Sequence, residues 1–364
     1  MKRALKTIAV VLLALILVVG AYVAYVFISY HRLDDNLALE VLSAAPGGES
    51  AEDAVPAGEE FTVVSYNIGF GAYSDDYTFF MDGGKESRAR SPQDVYSNIT
   101  GAMNAIIPYD PYFALIQEVD VDGTRSHHID ERQLVAPMLS TVIPMDYTYA
   151  QNYDSPYLFY PILQPHGANK AGIMTFSKAK ITSALRRSLP IETGVSKVLD
   201  LDRCYSKNRI STSNGKELVL YNLHLSAYTS DPMTAETQLS MLVQDMQAEY
   251  DAGNYCIAGG DFNRDLLGNS PEIFHTETLA DNWAKPVNMD LFTEDITLVA
   301  PFDEAELVAS CRNPDKPYEE GDFVVTVDGF IRSANVELVE SKVIDAGFRW
   351  SDHNPVYMKF VLED

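Results

Sequence analysis

The sequence predicts a sheet-centred α/β protein preceded by an apolar N-terminal helix. Three observations support this prediction. A charge-free apolar run extends from Ile8 to Ile28, short β-type runs recur throughout the remaining chain, and two capped amphipathic helical patterns lie between some of these runs. An early strand, helix and strand follow one another, as in α/β proteins. The pattern alone does not decide how the sheets stack.

Residues 1–33 have the features of a membrane anchor. The run from Ile8 to Ile28 is long enough to cross a bilayer core as a helix. A secretory signal has a shorter apolar region of ~7–15 residues, so an uncleaved anchor is favoured over a signal sequence, and a buried core helix is the least favoured reading. Three basic residues precede the run: Lys2, Arg3 and Lys6. The positive-inside rule therefore predicts a single-pass plasma-membrane protein with a cytoplasmic N-terminus and the remainder of the chain outside the cell.

Residues 34–60 differ in composition from the segments on either side. They are rich in Ala, Gly, Pro and acidic residues and contain no Lys or Arg, which predicts an acidic flexible tether. The stretch from Leu37 to Leu42 has the alternative of a short helical turn. Residues 61–364 have the size of one large α/β domain.

Charge and cysteine content restrict the partners and cofactors. The formal net charge is −25, and the basic residues of the anchor segment leave the external part more negative still. Such a field opposes the approach of a polyanion, so nucleic acid is the less favoured substrate, although a bound metal could make the site locally positive. The three cysteines match no zinc-site spacing, and no disulfide is expected: Cys204, Cys256 and Cys311.

The predicted elements begin with an alternating strand from Phe61 to Asn67. Ser91 and Pro92 then begin a capped helix that has an apolar stripe. A strand from Tyr112 to Gln117 follows, with Glu118 after its end. Asp231 and Pro232 begin a second amphipathic helix. Further strands are predicted at Ala171–Ser177, Glu217–Leu225, Tyr255–Gly259, Phe323–Ile331, Asn335–Glu340 and Val356–Val361. The Asn335–Glu340 strand is expected to pair with the preceding one.

Polar side chains recur at the ends of these runs. Asp261 and Asn263 follow an apolar run in Gly-Gly-Asp-Phe-Asn, and Asp352 and His353 lie in Ser-Asp-His-Asn near the C-terminus. An ordinary turn would explain either motif alone. However, four further polar residues occupy similar positions: Asn67, Glu118, His224 and Asp328. These side chains are the types that a hard cation and a phosphoryl group require.

From Phe61 to the C-terminus, this ordered set of motifs resembles the endonuclease/exonuclease/phosphatase superfamily. That group includes DNase I, apurinic endonucleases, bacterial sphingomyelinases and inositol polyphosphate 5-phosphatases. The resemblance implies a four-layer sandwich of two packed mixed β-sheets flanked by helices. The motifs are specific for the superfamily and unspecific for the substrate.

The resemblance also implies roles for individual residues. Glu118 would be the main Mg²⁺ ligand, with Asn67 and Asp352 beside it, and Mn²⁺ is a possible substitute. His224 would stabilise the charged transition state. The other catalytic residues would be His353 held by Asp328, Asp261 acting on water or the leaving oxygen, and Asn263 orienting the phosphate or Asp261. Whether Asp261 or His353 is the base stays open.

Two further groups of residues have weaker patterns. Arg203 and Asn169 are candidates for substrate binding, with surface loops as the alternative reading. The adjacent pair His127 and His128 is a poor candidate for a second metal site, because neighbours on an extended chain point apart. The superfamily's nucleases also use a tyrosine, for which three positions are open: Tyr153, Tyr157 and Tyr160.

Together these features predict a membrane-anchored, outward-facing, Mg²⁺-dependent phosphoesterase. A phosphodiesterase that acts on a lipid headgroup or a small phosphoester is favoured. The alternatives are an extracellular nuclease and a catalytically idle surface-binding module. The complete set of motif residues argues against the idle module. No protein partner can be inferred.

Overall fold

The computed structural model describes residues 2–44, 50–141, 143–191, 202–227 and 232–363. Helices in these residues are α1 (Lys2–Ser29), α2 (Pro92–Ile106), α3 (Arg132–Leu139), α4 (Pro232–Asp251) and α5 (Ser270–Ile273). Short 3-10 turns lie at Gly69–Gly71, Phe80–Asp82, Ile107–Tyr109 and Met289–Leu291.

The strands are β1 (Leu37–Ala38), β2 (Leu42–Ser43), β3 (Glu60–Asn67), β4 (Phe113–Gly123), β5 (Asp146–Asp154), β6 (Asn169–Ser177), β7 (Ile181–Ser188), β8 (Cys204–Ser211), β9 (Glu217–His224), β10 (Tyr255–Asp261), β11 (Ile296–Val299), β12 (Cys311–Arg312), β13 (Val324–Val325), β14 (Asp328–Ser333), β15 (Val336–Val343) and β16 (Val356–Leu362).

In the described residues these strands form two mixed sheets of seven strands each. Sheet I has the order β1-β7-β8-β9-β10-β14-β11, and sheet II has the order β15-β16-β3-β4-β6-β5-β2. β12 and β13 form a separate short ribbon. The parallel pairs β3/β4 and β9/β10 lie near the middle of their sheets, so their carboxyl ends deliver side chains to one central region.

Apolar side chains fill three layers. Val63, Leu115 and Leu220 belong to the core between the two sheets. On the outer face of sheet II, Tyr66 packs with the apolar stripe of α2, and on the outer face of sheet I the core includes Leu242 of α4. The order is therefore helix, sheet, sheet, helix, which confirms the predicted four-layer sandwich. The alternation in β3, with Val63 inward and Tyr66 outward, explains why a strand pattern was visible in the sequence.

Several predicted elements occur with changed bounds. Helix α2 begins as expected, because Ser91 caps it by accepting a hydrogen bond from the Asp94 N–H. The predicted strand Phe323–Ile331 is wrong as a single element, since the chain forms β13 and then β14. The expected pairing of Asn335–Glu340 with that strand is also wrong: β15 pairs with β16 in the other sheet. The predicted helix start at Asp231 lies outside the described residues.

The segment 34–60 differs from the predicted free tether. β1 pairs with β7 at the edge of sheet I, and β2 pairs with β5 at the edge of sheet II. Val55 forms a bridge with Thr212 and is fully buried between the sheets. The short helical turn considered at Leu37–Leu42 is likewise wrong. Backbone pairing holds the described part of this segment to the domain. Such pairing needs no long apolar run, so the composition of the segment did not indicate it.

Among the described residues, α1 is the helix that is long and apolar enough to cross a membrane. An 18-residue window of this helix has a mean hydropathy of 2.8 and is almost entirely exposed. Length and composition fit a membrane anchor and also a signal sequence.

Candidate active site

Polar residues from both sheets meet at the carboxyl ends of the central strands. In sheet I, Asp261 at the end of β10 is in register with His224 at the end of β9 and with Asp328 at the start of β14. In sheet II, Asn67 ends β3 and Glu118 lies in β4. Asp352 and His353 come from the loop before β16 and line the same cavity. The structure thus brings together the eight motif residues that the sequence singled out, which also include Asn263.

Two backbone features place the acidic side chains. Gly260 has a φ of +150°, and a Cβ at this position would lie 2.0 Å from the Leu223 carbonyl oxygen. Glycine is therefore required immediately before Asp261. Glu118 has a φ of +55° and lies where the β4/β6 register shifts. A bulge of this kind re-aims a side chain.

The carboxylate of Asp261 lies at the centre of the site. Its Oδ1 accepts a hydrogen bond from the Asn263 N–H (2.8 Å), and its Oδ2 accepts one from Asn67 Nδ2 (3.0 Å). The same Oδ2 lies 3.5 Å from His224 Nε2 and 3.9 Å from His353 Nε2. Burial raises the pKa of Asp261 to about 7; His353 lowers it, and Asp328 raises it further. This carboxyl group can therefore accept or release a proton near neutral pH.

His353 is fixed by a buried carboxylate. Its Nδ1 lies 2.8 Å from Asp328 Oδ2, which also accepts a hydrogen bond from the Ser310 hydroxyl (2.7 Å). Burial lowers the pKa of His353, but the charge of Asp328 outweighs it and holds this pKa well above the usual value. A protonated His353 would present Nε2–H to the cavity.

His224 has the opposite electrostatic environment. Burial, followed by the positive charges of Arg203 and His353, holds the pKa of His224 well below its usual value. A neutral imidazole beside Asp261 can donate a hydrogen bond without adding charge.

Glu118 and Asp352 form an oxygen-rich group in the lining of the cavity, and Asn67 lies between Glu118 and Asp261. Asn67 Nδ2 donates to Glu118 Oε1 at 3.2 Å, and the carboxylate of the half-buried Asp352 accepts a hydrogen bond from the Ser351 hydroxyl at 3.3 Å. Burial raises the pKa of Asp352, His353 lowers it, and the nearby charge of Glu118 raises it further. Carboxylate oxygens of this kind are donors that a hard divalent cation accepts.

A second grouping has metal-like spacing but different bonding. Ligand atoms of Asp261, Asp328 and His353 lie within 4.8 Å of one another. However, Asp328 Oδ2 is already shared by His353 and Ser310. These hydrogen bonds make Asp328 and His353 a buried carboxylate–histidine pair at the cavity.

Arg125 is a site residue that the sequence reasoning missed. Its guanidinium is buried, binds Asp120 (2.7 Å), and lies 4.0 Å from Glu118 and 3.9 Å from the centre of the Phe70 ring. A cation held against an aromatic face keeps its orientation. Arg125 lies in the sequence Arg-Ser-His-His, from which only the two histidines were considered as candidate ligands.

The weaker candidates have different outcomes in the structure. Arg203 lines the cavity. Asn169 does not: its side chain accepts from the Arg125 N–H and donates to the His166 carbonyl, so it supports the Arg125 loop. His127 and His128 contact separate partners, the Ala89 carbonyl and Asp122 respectively. Of the three tyrosines, Tyr153 is the one that lines the cavity, with its ring 5.2 Å from the Arg125 guanidinium.

The cavity itself encloses about 150 Å³. The cavity floor is here the set of polar residues described above, and the cavity walls are the aromatic and basic side chains that also line it. The wall residues include Phe70, Tyr73, Phe79, Trp283 and Arg312. A compact anionic group therefore fits the floor, while an attached organic group would contact the walls.

The model of the Endonuclease/Exonuclease/phosphatase family matches residues 64–353. The chain belongs to this family. Solved structures with the same fold include an endonuclease/exonuclease/phosphatase from Beutenbergia cavernae, at 15% identity and a TM-score of 0.55 over 84% of this chain and 72% of that one. ANGEL2, a 2',3'-cyclic phosphatase, is 15% identical with a TM-score of 0.54 over 88% of this chain and 100% of that one. No curated protein sequence matches the chain closely enough to be counted as a relative.

The structural similarity to these proteins shows a shared fold. The family membership identifies this chain as a phosphoric ester hydrolase. Enzymes of this family commonly use divalent metals, and in this chain acidic and histidine side chains are grouped at the cavity.

Proposed function

We propose that this hydrolase is a Mg²⁺-dependent phosphodiesterase, anchored through α1 at the plasma membrane with its catalytic domain outside the cell. The observation that carries the proposal is the Asp261 carboxyl group, held between Asn67, His224 and His353 beside the oxygen-rich group of Glu118 and Asp352. Mg²⁺ is proposed over Zn²⁺ because these ligands are hard oxygens.

The residues divide the work of phosphate ester hydrolysis. Glu118, Asn67 and Asp352 would hold the metal ion, which when bound neutralises phosphoryl charge and favours ionisation of water. With a pKa of about 7, Asp261 accepts the proton of the attacking water. His353, kept protonated by Asp328, donates from Nε2 the proton that the leaving ester oxygen takes up as its P–O bond breaks, and neutral His224 donates a hydrogen bond to a phosphoryl oxygen. This division favours Asp261 over His353 as the base.

The proposed substrate is a lipid headgroup or a small phosphodiester. A formal net charge of −25 disfavours a long polyanion, whereas the aromatic wall suits a short organic group attached to the phosphate. A small cyclic diester, of the type that the name of ANGEL2 mentions, belongs in the same substrate panel.

The test is hydrolysis by the full chain in detergent with Mg²⁺. The panel contains bis(4-nitrophenyl) phosphate, phosphatidylcholine, sphingomyelin, a 2',3'-cyclic nucleotide and DNA. Asp261→Ala and His353→Ala should each reduce the rate by about 10²–10⁴, and the double variant should be little worse because the two groups act on one phosphate. Glu337→Ala, at an exposed acid on β15, is the matched control and should keep full activity. No turnover of any substrate, with Mg²⁺-dependent ligand binding intact, would favour the idle module.

A further inference from the structure

A contiguous group of large apolar side chains is exposed in the loop between β5 and β6. In residues 157–163, here called the 157–163 loop, Phe159 is 57% exposed, Tyr160 69%, Ile162 82% and Leu163 98%. Four such side chains within five positions form a patch of the kind that marks an interaction surface.

The 157–163 loop lies against the outer end of α1. The Tyr22 hydroxyl donates to the Tyr157 carbonyl (3.1 Å), and the Tyr25 hydroxyl accepts from the Tyr157 N–H (3.1 Å). The ring of Tyr22 packs edge-to-face with that of Phe159 at 5.2 Å. Tyrosines at the end of an apolar span are typical of the membrane–water boundary. The loop is therefore held at the level where α1 would leave the bilayer.

The same loop packs against residues 79–81, which form part of the rim of the active-site cavity. The Tyr160 ring lies 5.7 Å from that of Phe80, and Phe80 lies between Phe79 and Met81, which both line the cavity. Met81 is itself 41% exposed and extends the apolar rim. Directly after the loop, the Ser87 N–H donates to the Gln164 side chain at 3.0 Å. This hydrogen bond joins the end of the loop to the chain that follows residues 79–81.

We propose that the 157–163 loop inserts into the outer leaflet of the bilayer beside α1 and presents the cavity to the phosphodiester of a zwitterionic lipid headgroup. This inference rests on the proposed function, since it takes α1 as the anchor and the site as a phosphodiesterase. The bilayer is the occupant because the patch is continuous with the apolar helix through hydrogen bonds and ring packing. Zwitterionic headgroups are specified because the acidic chain repels anionic lipids.

Insertion can be measured directly on the full chain in phosphatidylcholine nanodiscs. Cys204, Cys256 and Cys311 are buried, so a single environment-sensitive dye can be attached at Leu163→Cys. The matched control is Val339→Cys, which is 45% exposed on β15, at the edge of sheet II opposite the β2 edge. The dye at position 163 should be blue-shifted and quenched by doxyl-labelled lipid, while the dye at 339 should report water. Equal, water-like signals at both positions would overturn the proposal, as would burial of position 163 that appears only with self-association.

Activity provides the second arm. Ile162→Ser combined with Leu163→Ser should reduce hydrolysis of vesicular phosphatidylcholine by roughly ten- to a hundredfold, the equivalent of losing about half of the full burial of two large aliphatic side chains. Hydrolysis of bis(4-nitrophenyl) phosphate should stay unchanged, and Leu338→Ser with Val339→Ser should change neither rate. Equal loss on both substrates would show a structural role for the loop and overturn the proposal. Insertion of the dye at position 163, combined with a wild-type chain that hydrolyses neither substrate, would instead refute the proposed function alone.

Discussion

Replacing Asp328 with Asn isolates the electrostatic contribution of the carboxylate that holds His353. Asp328 is fully buried, and its Oδ2 lies 2.8 Å from His353 Nδ1 and 2.7 Å from the Ser310 hydroxyl. An Asn side chain has nearly the same shape, and its oxygen can keep both hydrogen bonds. The negative charge that sustains the raised pKa of His353 is lost, so less of the imidazole is protonated when the phosphate binds.

The size of the effect follows from this geometry. A hydrogen bond to a charged group contributes about 1.5–3 kcal/mol. At about 1.36 kcal/mol per tenfold change in rate, Asp328→Asn should slow hydrolysis by roughly 10- to 150-fold. The assay is hydrolysis of bis(4-nitrophenyl) phosphate at saturating Mg²⁺, with Mg²⁺ affinity measured by calorimetry and expected to change little.

The decisive comparison uses His353→Ala as the background. If Asp328 acts through His353, Asp328→Asn should cost nothing further in a chain that already carries His353→Ala. An additional loss of tenfold or more in that background would refute the reasoning, because Asp328 would then contact substrate or metal directly. A full rate in the Asp328→Asn single variant would equally remove the proposed role.

Three other changes test the metal group, the backbone and the N-terminal segment. Glu118→Gln should raise the Mg²⁺ concentration for half-maximal activity at least about tenfold. The control Asp122→Asn, at an exposed acid on the same strand, should leave it unchanged. Turnover that persists in excess chelator would contradict metal dependence. Gly260→Ala should destabilise the protein by more than about 3 kcal/mol in chemical denaturation, because its Cβ would meet backbone. The control Gly253→Ala also has a positive φ (+91°) but open space, so about 1 kcal/mol is expected, and equal losses would disprove the steric argument. Deleting residues 1–59 should lower the melting temperature by about 5 °C or more relative to deleting residues 1–33, since Val55 and two edge strands are lost; identical melting would restore the free-tether reading.

The polar site residues at the strand ends could be predicted, because the local sequence pattern locates the end of a strand and the strand end is where the site lies in this fold. Apolar alternation located the ends of β3, β9 and β10, and a polar residue directly after a buried strand must lie at the sheet edge. Asn67, His224 and Asp261 were found in this way. Their mutual distances depend on which strands are neighbours, and that information came from the resemblance.

Other parts of the fold could not be predicted because they depend on long-range partners. β15 follows β14 in the chain, which suggests a hairpin, yet the chain passes from sheet I to sheet II between them. Residues 34–60 lack an apolar pattern because β1 and β2 are two residues each and are held by backbone pairing. The position of Arg125 in the site depends on its contacts with Asp120 and Phe70, and no local sequence pattern predicts these contacts.

A site assembled from two sheets requires that the sheets keep a fixed position relative to each other. Apolar packing between sheets tolerates small displacements, but buried hydrogen bonds do not. Gln117 of sheet II donates to the Asn222 side chain of sheet I at 2.8 Å, and Asn222 donates back to the Met174 carbonyl of sheet II at 2.8 Å. The hydroxyl of Ser65 joins the same network through Gln117.

The position of this network along the strands gives it a functional consequence. Ser65, Gln117 and Asn222 lie one or two residues before Asn67, Glu118 and His224 on their respective strands. A displacement of the sheets would leave buried amides unpaired, at a cost of about 1–3 kcal/mol for each group. The hydrogen bonds thus oppose sliding directly beneath the residues that must converge on one phosphate, and the carboxylate of Asp261 stays within reach of the Asn67 amide from the opposite sheet.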